Sequence, residues 1–159
     1  MVSRRRGVTP LVLGAVALVA LIGLLLLPGM RVATPVPLGS ELVTEVGKGE
    51  YALYTSPGFR WGEVECEGTL PDGSELRVRP DMTQQGLLLP RRWSSSGSFE
   101  QTTAGTIHVV CTVDGAVADG AVGEFTVGPY VGFLHIVGYV VLGAAGVVLV
   151  LVGAFRARS

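Results

Sequence analysis

The placement of charge constrains this chain more than any other feature. All thirteen acidic residues lie between Arg31 and Glu124, and two stretches without Asp, Glu, Lys or Arg bracket them, 20 residues at 8–27 and 25 at 131–155. The charges beyond these stretches are all basic: Arg4, Arg5 and Arg6 before the first, Arg156 and Arg158 after the second. A bilayer core is about 30 Å thick and a helix rises about 1.5 Å per residue, so the first stretch is just long enough to span and the second spans with tilt. Lys and Arg accumulate on the cytoplasmic side of short flanks. The pattern predicts a two-pass membrane protein with both termini in the cytoplasm and an acidic domain outside. Its expected parts are a basic tail (1–7), a first transmembrane helix (8–28), a proline-containing tether (29–39) that lifts the domain off the membrane, an extracytoplasmic β-sandwich domain (40–128), a second transmembrane helix (130–155) and a basic tail (156–159).

Local chemistry agrees with the spans. Proline is tolerated near a helix start, so Pro10 does not disqualify the first, and Pro28-Gly29 marks its exit. Tyr130, Phe133 and Tyr139 fall where an outer aromatic belt sits. The first stretch also resembles a secretory leader, with its basic start and apolar run. The run is longer than a leader core, and the small residue placed for cleavage, Ala33, has Arg31 at the −3 position. The expectation is that the span is retained.

The middle carries 7 basic residues against 13 acidic, a formal net of 7 − 13 = −6. Nucleic-acid binding needs a basic patch, so that class is not expected. About a hundred residues bury one modest core, hence one domain. Cys66 and Cys111 both lie in this middle, and an even count outside the membrane predicts a disulfide.

From Glu41 to Val127 the pattern is all-β. Glu63-Val-Glu-Cys-Glu67 alternates with Val64 and Cys66 inward. Leu70-Pro-Asp-Gly-Ser74 reads as a three-residue hairpin loop, and Glu75-Leu-Arg-Val-Arg79 alternates after it. That loop pairs Leu70 with Ser74, Gly68 with Leu76 and Cys66 with Val78. On the other face it sets Glu67 against Arg77 and Glu65 against Arg79. Ser94-Ser-Ser-Gly-Ser98 reads as a flexible turn. In Gly105-Thr-Ile-His-Val-Val-Cys-Thr-Val113, Ile107, Val109, Cys111 and Val113 face inward. Residues 122–127 form the last strand, with Phe125 and Val127 inward.

Several short strands with one cysteine early and one late describe a β-sandwich with an inter-sheet bridge. The segment Gly105-Thr-Ile-His-Val-Val-Cys111, with Glu124-Phe-Thr-Val127, resembles the last two strands of immunoglobulin-like domains in small bacterial envelope proteins. Ile107 stands where those often carry tyrosine, and no tryptophan follows Cys66 at antibody-type spacing. The whole layout looks like uncharacterised two-pass actinobacterial membrane proteins with such a domain. The fold class expected is therefore an all-β, immunoglobulin-like extracytoplasmic sandwich with one disulfide, flanked by two transmembrane α-helices.

Little in the chain points to chemistry, and no enzyme activity, cofactor or metal is expected. His108 falls on an outward strand position without a second ligand at recognisable spacing. Glu63, Glu65 and Glu67 form an outward row, and one flat face does not surround a calcium ion. Leu87, Leu88 and Leu89 with Arg91, Arg92 and Trp93 read either as core or as a loop that touches lipid or a partner; the core reading is favoured. In the second span Gly132, His135, Tyr139, Gly143, Gly146 and Gly153 line one helix face, suited to close packing. That face would meet the first span, with its Gly14, Ala17, Ala20 and Gly23, or else a second copy or another membrane protein. The functional expectation is a non-catalytic envelope interaction module in the plasma membrane. The alternative is an accessory subunit of a transport or secretion complex.

Overall fold

A computed structural model describes residues 5–59, 62–80, 86–87, 91–113 and 123–158. The chain divides into a helical unit, Met1–Leu27 with Gly132–Ser159, and a β unit, Pro28–Val131. In the first, α1 (Arg5–Met30) and α2 (Phe133–Arg158) are each 26 residues long. Both contain a stretch long and apolar enough to cross a membrane, Val8–Met30 and Phe133–Ala157. Only 6% and 11% of their most apolar windows are buried inside the protein, so these are not the core helices of a soluble domain.

Among the described residues the β unit holds eight strands: β1 (Val36–Pro37), β2 (Glu41–Val46), β3 (Gly49–Thr55), β4 (Val64–Thr69), β5 (Gly86–Leu87), β6 (Trp93–Gln101), β7 (Gly105–Val113) and β8 (Glu124–Pro129). They form a five-stranded sheet in the order β1-β8-β3-β6-β5 and a three-stranded sheet in the order β2-β7-β4, antiparallel throughout. Alternation along β7 builds the core: Ile107, Val109 and Cys111 are fully buried, and His108 between them is exposed. Leu42 and Val46 of β2 join them from the same sheet. Leu53, Phe99, Phe125 and Val127 come from the other sheet, so both sheets share one apolar cluster.

The disulfide Cys66–Cys111 forms, but it does not join the two sheets. Cys66 lies directly opposite Cys111 on the adjacent strands β4 and β7, with Cα atoms 4.1 Å apart. The Cys111 carbonyl accepts a hydrogen bond from Gly39 N on the far side of β7. The cysteines are therefore a non-hydrogen-bonded cross-strand pair, where facing side chains come closest. Spacing along the chain carries no information about which strands become neighbours, and that is why the inter-sheet expectation failed.

The hairpin after β4 follows the expected register for its first half. Leu70 N donates to Ser74 O, Thr69 lies opposite Glu75, and Leu76 N donates to Gly68 O. Gly73 takes a φ of 80°, and the Asp72 carboxylate accepts from both Ser74 N (3.0 Å) and Ser74 Oγ (2.6 Å). Past Leu76 the strand leaves β4 for the other sheet. Arg79 exchanges two backbone hydrogen bonds with Ser98 of β6, and its guanidinium sits 3.6 Å from Glu100. The expected Glu67/Arg77 and Glu65/Arg79 ion pairs do not form. Gly97 permits the crossing: a Cβ there would overlap Val78 and lie 2.9 Å from the Arg79 carbonyl oxygen.

Two further segments differ from expectation. Residues 94–98 are not a turn but the middle of β6, opposite Thr55 to Ala52, with a bulge between Leu53 and Tyr54. Residues 33–39, expected within the proline-containing tether, are pinned to the domain. Ala33 N donates to Val127 O, Val36 lies opposite Phe125, and Leu38 N donates to Gly123 O. Proline belongs on edge strands, and Pro37 sits on one.

Two outcomes follow. Cys66→Ala with Cys111→Ala opens a loop spanning 45 residues. Urea unfolding of the full chain in detergent should show a loss of about 4 kcal/mol, by the loop-entropy relation. The Ser74 side-chain and backbone hydrogen bonds hold the Asp72 carboxyl below its ordinary 3.8. Its folded-state pKa is thus depressed, so its contribution is present above the unfolded value and lost as pH falls through the folded one. An NMR titration should find Asp72 below 3.8, and Asp72→Asn should flatten the acid limb of hairpin stability.

Candidate functional site

The segment 87–93 divides by side chain. Leu87 lies opposite Trp93 in the β5–β6 pair, and both are buried, at 5% and 3% exposure. Leu88, Leu89 and Pro90 lie outside the described residues. Arg91 and Arg92 are exposed. The Arg91 guanidinium stacks 5.0 Å from the Trp93 ring centre and reaches Glu124 Oε2 of β8 at 2.5 Å. Trp93 and Leu87 thus belong to the packed interior, and Arg91 ties that corner to the last strand. The Arg91–Glu124 contact joins residues far apart in sequence and had no local signal.

The helical face is resolved more fully. Gly146 and Gly153 of α2 are buried, Gly143 and Tyr139 are half-buried, and His135 is exposed. A Cβ on Gly153 would lie 2.6 Å from Leu11 N, and one on Gly146 would lie 3.0 Å from Leu18 Cδ2. One on Gly143 would lie 3.0 Å from Leu21 Cδ2. From the other side, a Cβ on Gly14 would lie 2.8 Å from the Gly146 carbonyl oxygen. The contacts run Leu11 to Gly153, Gly14 to Gly146 and Leu21 to Gly143, so the helices are antiparallel. Leucines of α1 occupy hollows left by glycines of α2, and at Gly14 the two backbones nearly touch. Gly23 of α1 has open space around it and takes no part. Gly132 is half-buried just before α2.

The outer face of the three-stranded sheet is acidic. Glu41 and Glu45 of β2, Glu65 and Glu67 of β4, and the neighbouring Glu75 are exposed. His108 sits among them, its Nδ1 2.8 Å from Glu41 Oε1. A shallow groove of about 550 Å³ runs here, lined by Glu41, Glu67, Thr69, Glu75, Leu76 and His108 among others. Among the described residues, no three His, Cys, Asp or Glu side chains are placed to hold a metal ion. The face can attract cations and repel polyanions.

No protein-family model, curated protein or solved structure matches this chain.

Gly146→Leu puts a branched side chain where Leu18 and Gly14 already sit. The helix pair should loosen by roughly 1–3 kcal/mol. Cysteines placed at Leu21 and Gly143, where the neighbour of a new Cβ is the Leu21 side chain itself, should then cross-link more slowly, with the circular dichroism of the β unit unchanged.

Proposed function

We propose that this protein is a two-pass plasma-membrane protein that holds a non-catalytic, acidic β domain outside the cytoplasm as an interaction module of the cell envelope. One observation carries the reading: a disulfide-closed β domain lies between two apolar helices that pack antiparallel on each other. Disulfides persist in oxidising compartments, and the charges beyond the two apolar stretches are all basic, which favours both termini inside. The exposed acidic sheet face is the natural surface for a cationic partner.

The domain is best read as a variant of the immunoglobulin-like sandwich. An immunoglobulin sandwich pairs strand B with E and C with F. The pairs β3–β6 and β4–β7 occupy those places. The last strand joins β3 rather than β7, and the disulfide links the counterparts of C and F. The accessory-subunit reading would need the glycine face of α2 for an outside helix. Gly143, Gly146 and Gly153 already receive α1, which favours the module.

Reporter fusions test the topology. A periplasm-active phosphatase inserted after Pro57 should be active, and the same enzyme at either terminus inactive. The opposite pattern would overturn the orientation. Mild-detergent purification of the tagged chain tests the function. A partner captured in equal amount and lost on reversing Glu65 and Glu67 supports the module, and one lost only on Gly146→Leu supports the accessory subunit.

A further inference from the structure

The β unit is hydrogen-bonded almost up to its connections with the helices. α1 runs to Met30, and the backbone is already bonded to β8 at Ala33, leaving Arg31 and Val32 between. Val32 packs its Cγ1 against Gly128. At the other connection Tyr54 Oη donates to Pro129 O and Tyr130 N donates to Glu50 O, and α2 begins at Phe133. Only Val131 and Gly132 intervene. Two extended residues reach about 7 Å. The headgroup layer on each side of the hydrocarbon is about as thick.

The register shows which end of the β unit carries both connections. Tyr51 lies opposite Pro129, Gly49 opposite Gln101, and Val46 opposite Gly105. A Cβ on Gly105 would touch Pro71. The turns 47–49, 71–73 and 102–104 therefore share that end. It presents exposed Arg31 and Lys48 together with exposed Glu50 and Asp72.

Resting on the membrane-spanning reading above, we propose that this end of the β unit is a lipid-contact surface seated in the headgroup layer. Arg31 and Lys48 meet phospholipid phosphates, and Glu50 and Asp72 meet headgroup amines. Mixed charge of this kind matches zwitterionic phospholipid, whose headgroup carries both partners. A flexible tether would have left the domain free to stand off, but residues 33–39 are spent in the sheet.

Spin labels on the full-length protein in vesicles of equal parts phosphatidylcholine and phosphatidylethanolamine test this. Both native cysteines are bonded to each other, so only an introduced thiol is labelled. Ala104→Cys reports the proposed surface, Pro57→Cys the far end of the domain, and Val19→Cys the middle of α1. The Ala104 label should collide severalfold less often with a water-borne nickel reagent than the Pro57 label. Arg31→Glu with Lys48→Glu should raise its collision rate toward that of Pro57. Equal rates at Ala104 and Pro57, with the Val19 label in hydrocarbon, overturn the proposal and leave the spanning reading intact. A Val19 label in water overturns both. No response to the double reversal overturns the phosphate contact.

Discussion

The β unit depends on β7. It is the central strand of its sheet, hydrogen-bonded to β2 on one side and β4 on the other. It supplies Ile107 and Val109 to the shared core and Cys111 to the disulfide. Each buried aliphatic side chain of this kind contributes about 1.5–3 kcal/mol. Its position also explains where the covalent link falls. With β4 held along six residue pairs, the cysteines meet by backbone pairing alone, and the bond then prevents the edge strand from peeling away. The edge needs that support, because the chain after Leu76 abandons β4 for β6.

The helical unit is held differently. Helices this apolar would gain no hydrophobic drive toward each other in lipid, and close packing is what holds them together here. Gly14, Gly143, Gly146 and Gly153 remove side chains where Leu11, Leu18, Leu21 and the opposing backbone arrive. The same face would have served an outside helix, and the choice of α1 leaves many valines and leucines of both helices exposed.

Much of this was legible beforehand because it depends on period and charge. The two helices follow from uninterrupted apolar length, and β7 from strict alternation at Ile107, Val109 and Cys111. The turn at Asp72-Gly73 follows from local backbone chemistry. The errors share one cause. The serines at 94–98 look like a turn because serine bonds readily to its own backbone, yet pairing with β3 holds them extended. Alternation at 75–79 suits either sheet, so it could not show the departure from β4. The candidate surface residues were mixed: Leu87 and Trp93 are interior, Arg91 pairs with Glu124, and His108 pairs with Glu41.

Sequence by itself determined the elements and their order: two apolar helices by length, an all-β middle by alternation, and a hairpin by its turn residues. These are consequences of local geometry and of the uninterrupted apolar runs at 8–27 and 131–155. Only the tertiary structure decided which strands are neighbours. It placed both cysteines in one sheet, drew Pro37 and its neighbours into an edge, and turned the glycine face of α2 toward α1. Each of those is a pairing between distant segments. Several pairings satisfy the same local pattern, and only the burial of one common core selects among them.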